Sequence, residues 1–413
     1  MRPRALVIGG SLGGLFAAHL LRAAGWDAVV FERVTEDLAS RGVGIGTHDA
    51  LAALMARIGL PSDRMGVEVR SSICLDRDGG VVREIPIHRT MTSWAWIYRP
   101  LRAALPEASY RPGRSLVRVE QEADGITALF ADGTQERGEL LVAADGIRST
   151  VREQYLPEAR PAYAGYVAWR AMAEEAELPA SFRPVFDCYS FCLPEGEMVL
   201  SYPVPGREGG TAPGERGYNV VWYRPASLVD DLPRLCTDAS GRCHGLSIPP
   251  PLIRPELVAE LRAAARASLA PAIAGIVCRT AQPFFQAIFD LESPRLVFGR
   301  VALLGDAAFV ARPHVGAGVT KAAVDAAALA DALTAESDLP AALARYERQQ
   351  SALGSAIVAR GRRLGAFLER TAAPDALWLM REHSAKIRFT GADTPGRRSG
   401  QLGSEPRIDY YYD

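Results

Sequence analysis

Lysine is almost missing from this chain. Lys321 and Lys386 are the only two in 413 residues, so nearly all of the 47 basic side chains are arginine. A bias that broad reflects overall composition rather than selection at single sites, and it makes any lone arginine a weak pointer to function. Net charge is missing as well: a formal value of -1 gives no field to gather nucleic acid or an anionic membrane surface. No stretch approaches the ~20 uninterrupted apolar residues of a membrane-spanning helix. The opening "MRPRALVIGG" lacks the apolar core of a secretory signal. Metal-ligand spacing is absent too. Cys74, Cys188, Cys192, Cys236, Cys243 and Cys278 include no CxxC pair, and in a cytoplasmic chain they read as reduced thiols. The expectation is a cytoplasmic protein with no nucleic acid, membrane or metal among its partners. What remains is 48% hydrophobic and 23% charged, the balance of a folded globular protein. The length suggests two or three lobes.

Residues 4 to 32 read as strand, glycine turn, helix and strand. "ALVI" is a short apolar run, "GGSLGG" breaks it, "LFAAHLLRAAG" has helical spacing, and "AVVFE" is a second strand ending at Glu32. This is a βαβ unit. In the turn, Gly9 and Gly14 occupy the outer positions of a GxGxxG pattern and Ser11 the middle one. The first glycine permits a sharp turn, the last permits close helix packing, and a small middle residue lets the backbone approach a pyrophosphate. The following helix aims its positive end at the phosphates. Glu32 stands where a carboxylate takes the hydroxyls of an adenosine ribose. A glycine triplet alone is weak, but between a strand and a helix, with an acid at this distance, it points to a dinucleotide. His19, inside the helix, reads as a packing or surface residue.

Two further acids end apolar strands. "LLVAADGIRSTVR" carries Asp145-Gly146, then Arg148 and Arg152, and "VALLGDAA" carries Asp306. Each reads alternatively as a helix cap. Capping does not explain why both precede glycine- or arginine-rich loops, whereas a polyhydroxylated chain such as ribityl would use both acids. After Asp306 come the loop "ARPHVGAG" and a long Ala-rich helix from about Thr320.

The texture differs elsewhere. "GYVAWRAMA", "MVLSYPVP" and "GYNVVWYRP" alternate like antiparallel strands, separated by the loop "PVPGREGGTAPGERG". The fold class is therefore α/β: a Rossmann-type lobe (residues 1–66, 99–159 and 291–335) interleaved with an antiparallel-sheet lobe (67–98 and 160–290). C-terminal helices and an irregular tail follow (336–413). In "GYVAWRAMA", Tyr166, Ala168, Arg170 and Met172 share one face by period two. Arg170 pairs with an anionic ring on one reading and is one more arginine on the other. Of Tyr189, Tyr202, Trp222 and Tyr223, most are expected in the core and one or two on a pocket wall.

In their order and spacing, the glycine turn, the Asp-Gly motif and the Gly-Asp motif resemble the FAD-dependent aromatic hydroxylases, the class A flavoprotein monooxygenases. The stretch "PFFQAIFDLESPRLVFGRVALLGDAAFVARPHVGAG" is nearer to the dihydroxypyridine-hydroxylating subgroup. The resemblance implies FAD as cofactor and NADH or NADPH as co-substrate, with a small aromatic substrate and dioxygen as the remaining partners. It places Gly9, Ser11, Leu12, Gly14, Glu32, Arg33, Arg41, Arg102, Asp145, Asp306, Gly316, Ala317 and Gly318 on the cofactor, with the Pro313–Gly318 loop along the flavin ring. Two departures stand out. The last loop lacks the family's Gln and Asn, and "WIYRPLRAAL" puts Tyr98 where the family often has an arginine, with Arg99 and Arg102 nearby.

The implied chemistry is reduction of the flavin, formation of a flavin hydroperoxide, and attack on an electron-rich ring hydroxyl compound. That needs a dry site and a base near the ring. His48, after the glycine-rich "RGVGIGT", is the candidate base, since imidazole titrates near neutrality; a surface histidine at a helix start is the plain alternative. His48, Arg170 and Pro313 are the candidate catalytic positions. His88, His244 and His383 read as solvated. The alternatives are a same-fold reductase or halogenase, or a non-enzymatic FAD-binding module. The oligomeric state is open, a homodimer being the assembly considered.

Overall fold

The computed structural model describes residues 2–41, 44–62, 65–369, 375–389 and 408–411. Its first layer is a six-stranded sheet. In spatial order the strands are Val297–Phe298, Val301–Leu303, Leu140–Ala143, Arg4–Ile8, Asp27–Phe31 and Tyr110–Arg111. All neighbours are parallel except the Val297–Phe298 edge hairpin. The central strands are apolar without alternation, as strands covered on both faces must be. Helix Leu12–Ala23 covers the sheet and packs on helix Gly318–Ala335. The Ala-rich composition of the second helix permits close approach: a Cβ on Gly13 would already lie 3.4 Å from Ala322. Leu6, Leu15, Phe16, Val30, Leu141 and Leu303 are essentially inaccessible in this core, each contributing about 1.5–3 kcal/mol.

The second layer is a nine-stranded sheet, antiparallel but for one pair. Its centre is the Ala162–Glu174, Gly217–Pro225 and Met198–Val204 strands, with Arg170 opposite Val221 and Tyr202 opposite Asn219. One face packs on helices Pro255–Ser268 and Pro271–Arg279 around Trp169, Val220 and Trp222. The other face looks toward the parallel sheet.

Three details differ from the sequence reading. Gly44–Gly46 and Phe309–Val310, assigned to the first lobe, are edge strands of the nine-stranded sheet. Each leaves the parallel sheet and satisfies its backbone groups on the facing edge, which draws both chain segments to the seam between the layers. Ile408–Tyr411, read as irregular, pairs antiparallel with Lys386–Phe389, setting Ile387 opposite Tyr410. Aromatic and β-branched residues at such spacing favour a strand once a partner is present. Finally, the helix expected from about Thr320 begins at Gly318. Among the described residues, no helix is long and apolar enough to cross a membrane.

Candidate active site

Four neighbouring parallel strands end on the same edge. Val301–Leu303 delivers Gly305 and Asp306, Leu140–Ala143 delivers Asp145, Arg4–Ile8 delivers the glycine turn, and Asp27–Phe31 delivers Glu32. At the usual strand spacing this row is about 14 Å long. Two cavities follow the edge. One of about 370 Å³ lies between the two sheets. The other, about 200 Å³, is lined by Gly9, Glu32, Arg33, Arg114 and Asp145. They are joined through Ser11, Trp94, Ala144 and Gly146, which line both.

The glycine turn is fixed by contact distances. Gly9 has φ of +107°, and a Cβ there would stand 2.3 Å from the Ala144 carbonyl oxygen. A Cβ on Gly14 would stand 1.8 Å from the Gly9 carbonyl oxygen, so the helix can pack here only with glycine. Ser11 is the N-cap of the helix but makes no side-chain cap bond, leaving its first N–H groups directed at the cavity edge. Glu32 Oε2 accepts from Gly10 N–H at 2.7 Å and Oε1 from Val34 N–H at 3.0 Å. These bonds fix the carboxylate, and each oxygen keeps a further lone pair for a hydroxyl.

The acids at the other two strand ends differ in role. Asp145 Oδ2 accepts from Val151 N–H at 3.3 Å, so it does cap the following helix, together with Ser149. Its Oδ1 is buried without a partner. Burial raises the Asp145 pKa above the ordinary carboxylate value. Asp306 is exposed to the main cavity. Its loop is clamped from behind: Lys321 and Asp325 form a 2.6 Å ion pair, each side chain 2% exposed. Asp325 also accepts from Gly305 N–H at 2.9 Å. Arg152 links the two acid loops through the Ile147 and Ala307 carbonyls. Unpartnered Asp145 Oδ1, the open Asp306 carboxylate and a turn that excludes any Cβ together fit a dinucleotide laid along this edge.

The main cavity continues past Asp306. Pro313, Gly316, Ala317 and Gly318 line one side, with Gly316 left-handed at φ of +63°. Arg170, Tyr189, Tyr202 and Tyr223 line the other. Tyr166 donates to or accepts from His314 Nε2 at 2.8 Å behind them. Trp222 faces away and donates to Glu197 at 2.7 Å.

Thus the fold brings Gly9, Ser11, Leu12, Glu32, Arg33, Asp145, Arg170, Asp306, Pro313, Gly316, Ala317 and Gly318 to the two cavities. Gly14 supports the turn from beneath. The Arg41 side chain lies outside the described residues. Arg102 is not at the cavities. It pairs with Glu107 at 2.8 Å and lies 4.2 Å over the Tyr110 ring, because its helix turns that face toward the outer strand. His48 is buried but absent from the lining; its Nε2 bonds the Gly316 carbonyl at 3.1 Å, fastening one cavity wall. His383, read as solvated, is buried with His314 against the main cavity, because the C-terminal helix folds back onto the sheet. Sequence alone does not place Trp94, Arg89, His383 or the Lys321–Asp325 clamp at the site. Only the clamp carried a signal, an i,i+4 pair using one of two lysines.

The family described as FAD binding domain matches residues 2–208, and an FAD binding domain-like family matches residues 163–290. The chain is 31% identical over 368 residues to 2,6-dihydroxypyridine 3-monooxygenase of Paenarthrobacter nicotinovorans, covering 89% of this chain and 91% of that one. The solved structure of 2,6-dihydroxypyridine-3-hydroxylase from Arthrobacter nicotinovorans superposes with a TM-score of 0.85 at 31% identity, over 91% and 95% of the two chains. Klebsiella pneumoniae HpxO complexed with FAD and uric acid superposes with a TM-score of 0.73 at 26% identity, over 93% of each.

Proposed function

This chain belongs to the FAD-binding family of flavoprotein aromatic hydroxylases, and on that premise we propose how its residues hold cofactor and ring. It is an FAD-dependent monooxygenase that hydroxylates a small hydroxylated aromatic or N-heteroaromatic ring with NAD(P)H as reductant. The observation that carries the assignment of residues is the row of four strand ends opening onto one continuous pair of cavities.

Glu32 takes the adenosine ribose, with Arg33 beside it. The amides around Ser11 and Leu12 take the pyrophosphate at the helix N-terminus. Asp306 takes the ribityl hydroxyls, and Asp145 Oδ1 accepts from a hydroxyl of the same cofactor. The Pro313–Gly318 loop and the N-terminus of helix Gly318–Ala335 would lie against the flavin ring. Their amides favour negative charge there by roughly 0.3–2 kcal/mol. When bound, FAD carries electrons from NAD(P)H to dioxygen so that one oxygen atom enters the substrate ring. Arg170, Tyr202 and Tyr223 position that ring, while Leu200, Val221 and Met91 keep its surroundings apolar. The substrate we favour is a hydroxypyridine, on the strength of the dihydroxypyridine-acting relative. The test is FAD content of the purified protein, then NAD(P)H oxidation with a panel of hydroxypyridines and phenols. Stimulation by hydroxypyridines over phenols is expected. Protein that binds no FAD, or oxidation indifferent to every ring, would overturn the reading.

A further inference from the structure

Among the described residues six arginines are buried: Arg89, Arg152, Arg170, Arg216, Arg312 and Arg360. Four have conventional partners. Arg216 binds Glu175 and Asp187, Arg312 binds Asp290, and Arg360 binds Glu382. Arg152 donates to three backbone carbonyls. The other two, Arg89 and Arg170, line the main cavity, as does the paired Arg312. Arg89, 4% exposed, donates from Nη1 to the His383 carbonyl at 2.8 Å, and its buried Nε has no partner. Arg170, 7% exposed, donates from Nε to Gln286 at 3.3 Å. Neither has a carboxylate within ion-pair distance among the described residues. In a chain so rich in arginine the residue type alone means little, but a buried guanidinium without an anion is costly anywhere, and here two share one cavity.

Nothing else lining the cavity balances them. Asp306 is the one carboxylate among the lining residues, and it stands at the parallel-sheet edge. Both arginines bear on Tyr202, and the Arg89 guanidinium lies 2.6 Å from where a Cβ on Gly46 would be, so that glycine makes room for it. Burial raises the phenols of Tyr189, Tyr202 and Tyr223 above their ordinary value. Burial, then Arg360 and Arg89, lowers His383 to about 3, and burial, then His383, Arg312 and Arg170, lowers His314 well below its usual range. His48, the base expected from sequence, does not reach the lining. Apart from Asp306 and the Arg312–Asp290 pair, the cavity therefore holds two fixed cations and neutral hydrogen-bonding groups.

We propose that the cavity takes the ring substrate as its anion, and that Arg89 and Arg170 hold it deprotonated in place of a protein base. This rests on the monooxygenase reading above. The ring hydroxyl gives its proton to water as the substrate enters, and the oxyanion left behind is bound between the guanidiniums. The neutral imidazoles and phenols complete its hydrogen bonds. The electron-rich ring that oxygenation needs is thus selected by binding.

The test uses the FAD-loaded protein without reductant and 4-nitrophenol, whose ionised form has its own visible spectrum, at a pH one unit below the probe's own pKa. The expected result is an anion spectrum for the bound probe and about one proton released to the buffer per probe bound. Arg89→Gln and Arg170→Gln each weaken binding roughly ten- to hundredfold and move the bound probe toward its neutral spectrum, at unchanged FAD content. Arg89→Lys and Arg170→Lys recover part of the loss. Bound neutral probe, anionic probe with no proton released, binding of 4-nitroanisole as tight as that of the phenolate, or no binding of either would each overturn the proposal. A purified protein that holds no FAD would instead overturn the functional reading beneath it.

Discussion

At the carboxyl edge of the parallel sheet, the cavity is shaped by backbone: glycines that exclude a Cβ, helix amides, and strand-end acids of which Glu32 and Asp145 are held by main-chain N–H groups. Across the seam, on the nine-stranded sheet, it is shaped mainly by side chains, the Gly44–Gly46 edge strand excepted. Arg89, Arg170, Tyr189, Tyr202 and Tyr223 come from five different strands. The first region has almost no tolerance, because a Cβ on Gly14 would stand 1.8 Å from the Gly9 carbonyl oxygen, and backbone has no side chain to rearrange. The second can change one side chain at a time while its ladder of backbone bonds persists. A shared cofactor suits the first arrangement and a variable substrate the second.

The sharpest way to break this contrast is Gly14→Ala. We expect FAD retention to fall by more than about a hundredfold, or soluble protein to be lost, since the clash is with backbone; retention near wild type, read by flavin absorbance, would remove the distinction. Next, Lys321→Met leaves Asp325 buried without its cation beneath Gly305. A loss of about 3–5 kcal/mol in urea unfolding is expected. Glu32→Gln should weaken FAD roughly ten- to hundredfold, as measured by flavin titration, yet leave turnover of the saturated enzyme close to wild type.

Acid should act on the second region. His314 and His383 are buried and neutral, with pKa values below the 6.5 of the unfolded chain. Below that pH the unfolded chain binds more protons, so stability rises with pH there. Stability is expected to fall as pH drops from about 6.5 toward about 3, by up to about 1.4 kcal/mol per pH unit for each histidine. His383→Gln should flatten that slope in urea midpoints taken across the range. The smallest effect belongs to His48→Ala. Loss of its bond to the Gly316 carbonyl costs about 0.5–1.5 kcal/mol and should lower coupling of NAD(P)H oxidation to product slightly, leaving the pH profile of turnover unmoved. A displaced profile would restore His48 as the base.

Legibility followed the same division. Gly9, Gly14 and Glu32 lie within one βαβ unit, and Asp145 and Asp306 each end an apolar run, so local pattern and turn chemistry suffice to find them. The wall of the nine-stranded sheet depends on contacts between distant segments. Arg89 meets the His383 carbonyl across 294 residues of sequence, and no periodicity encodes that meeting. His383 reads as solvated for the same reason: nothing in the sequence of helix Ala376–Ser384 names the sheet it folds onto. His48 was legible as a residue near the cavity but not in its direction, since one rotamer decides whether an imidazole faces a ring or a carbonyl. Edge strands as short as Gly44–Gly46 and Phe309–Val310 exist only because a partner edge waits for them.

The central claim is that a flavin held along the parallel edge delivers oxygen to a ring held under Arg89 and Arg170. Its most direct test is product mass from the FAD-loaded protein supplied with NADH, 2,6-dihydroxypyridine and isotopically heavy dioxygen. A product heavier by one labelled oxygen atom, formed in step with NADH consumed, is expected. Consumption of NADH with an unchanged ring, or with oxygen drawn from water, would contradict it.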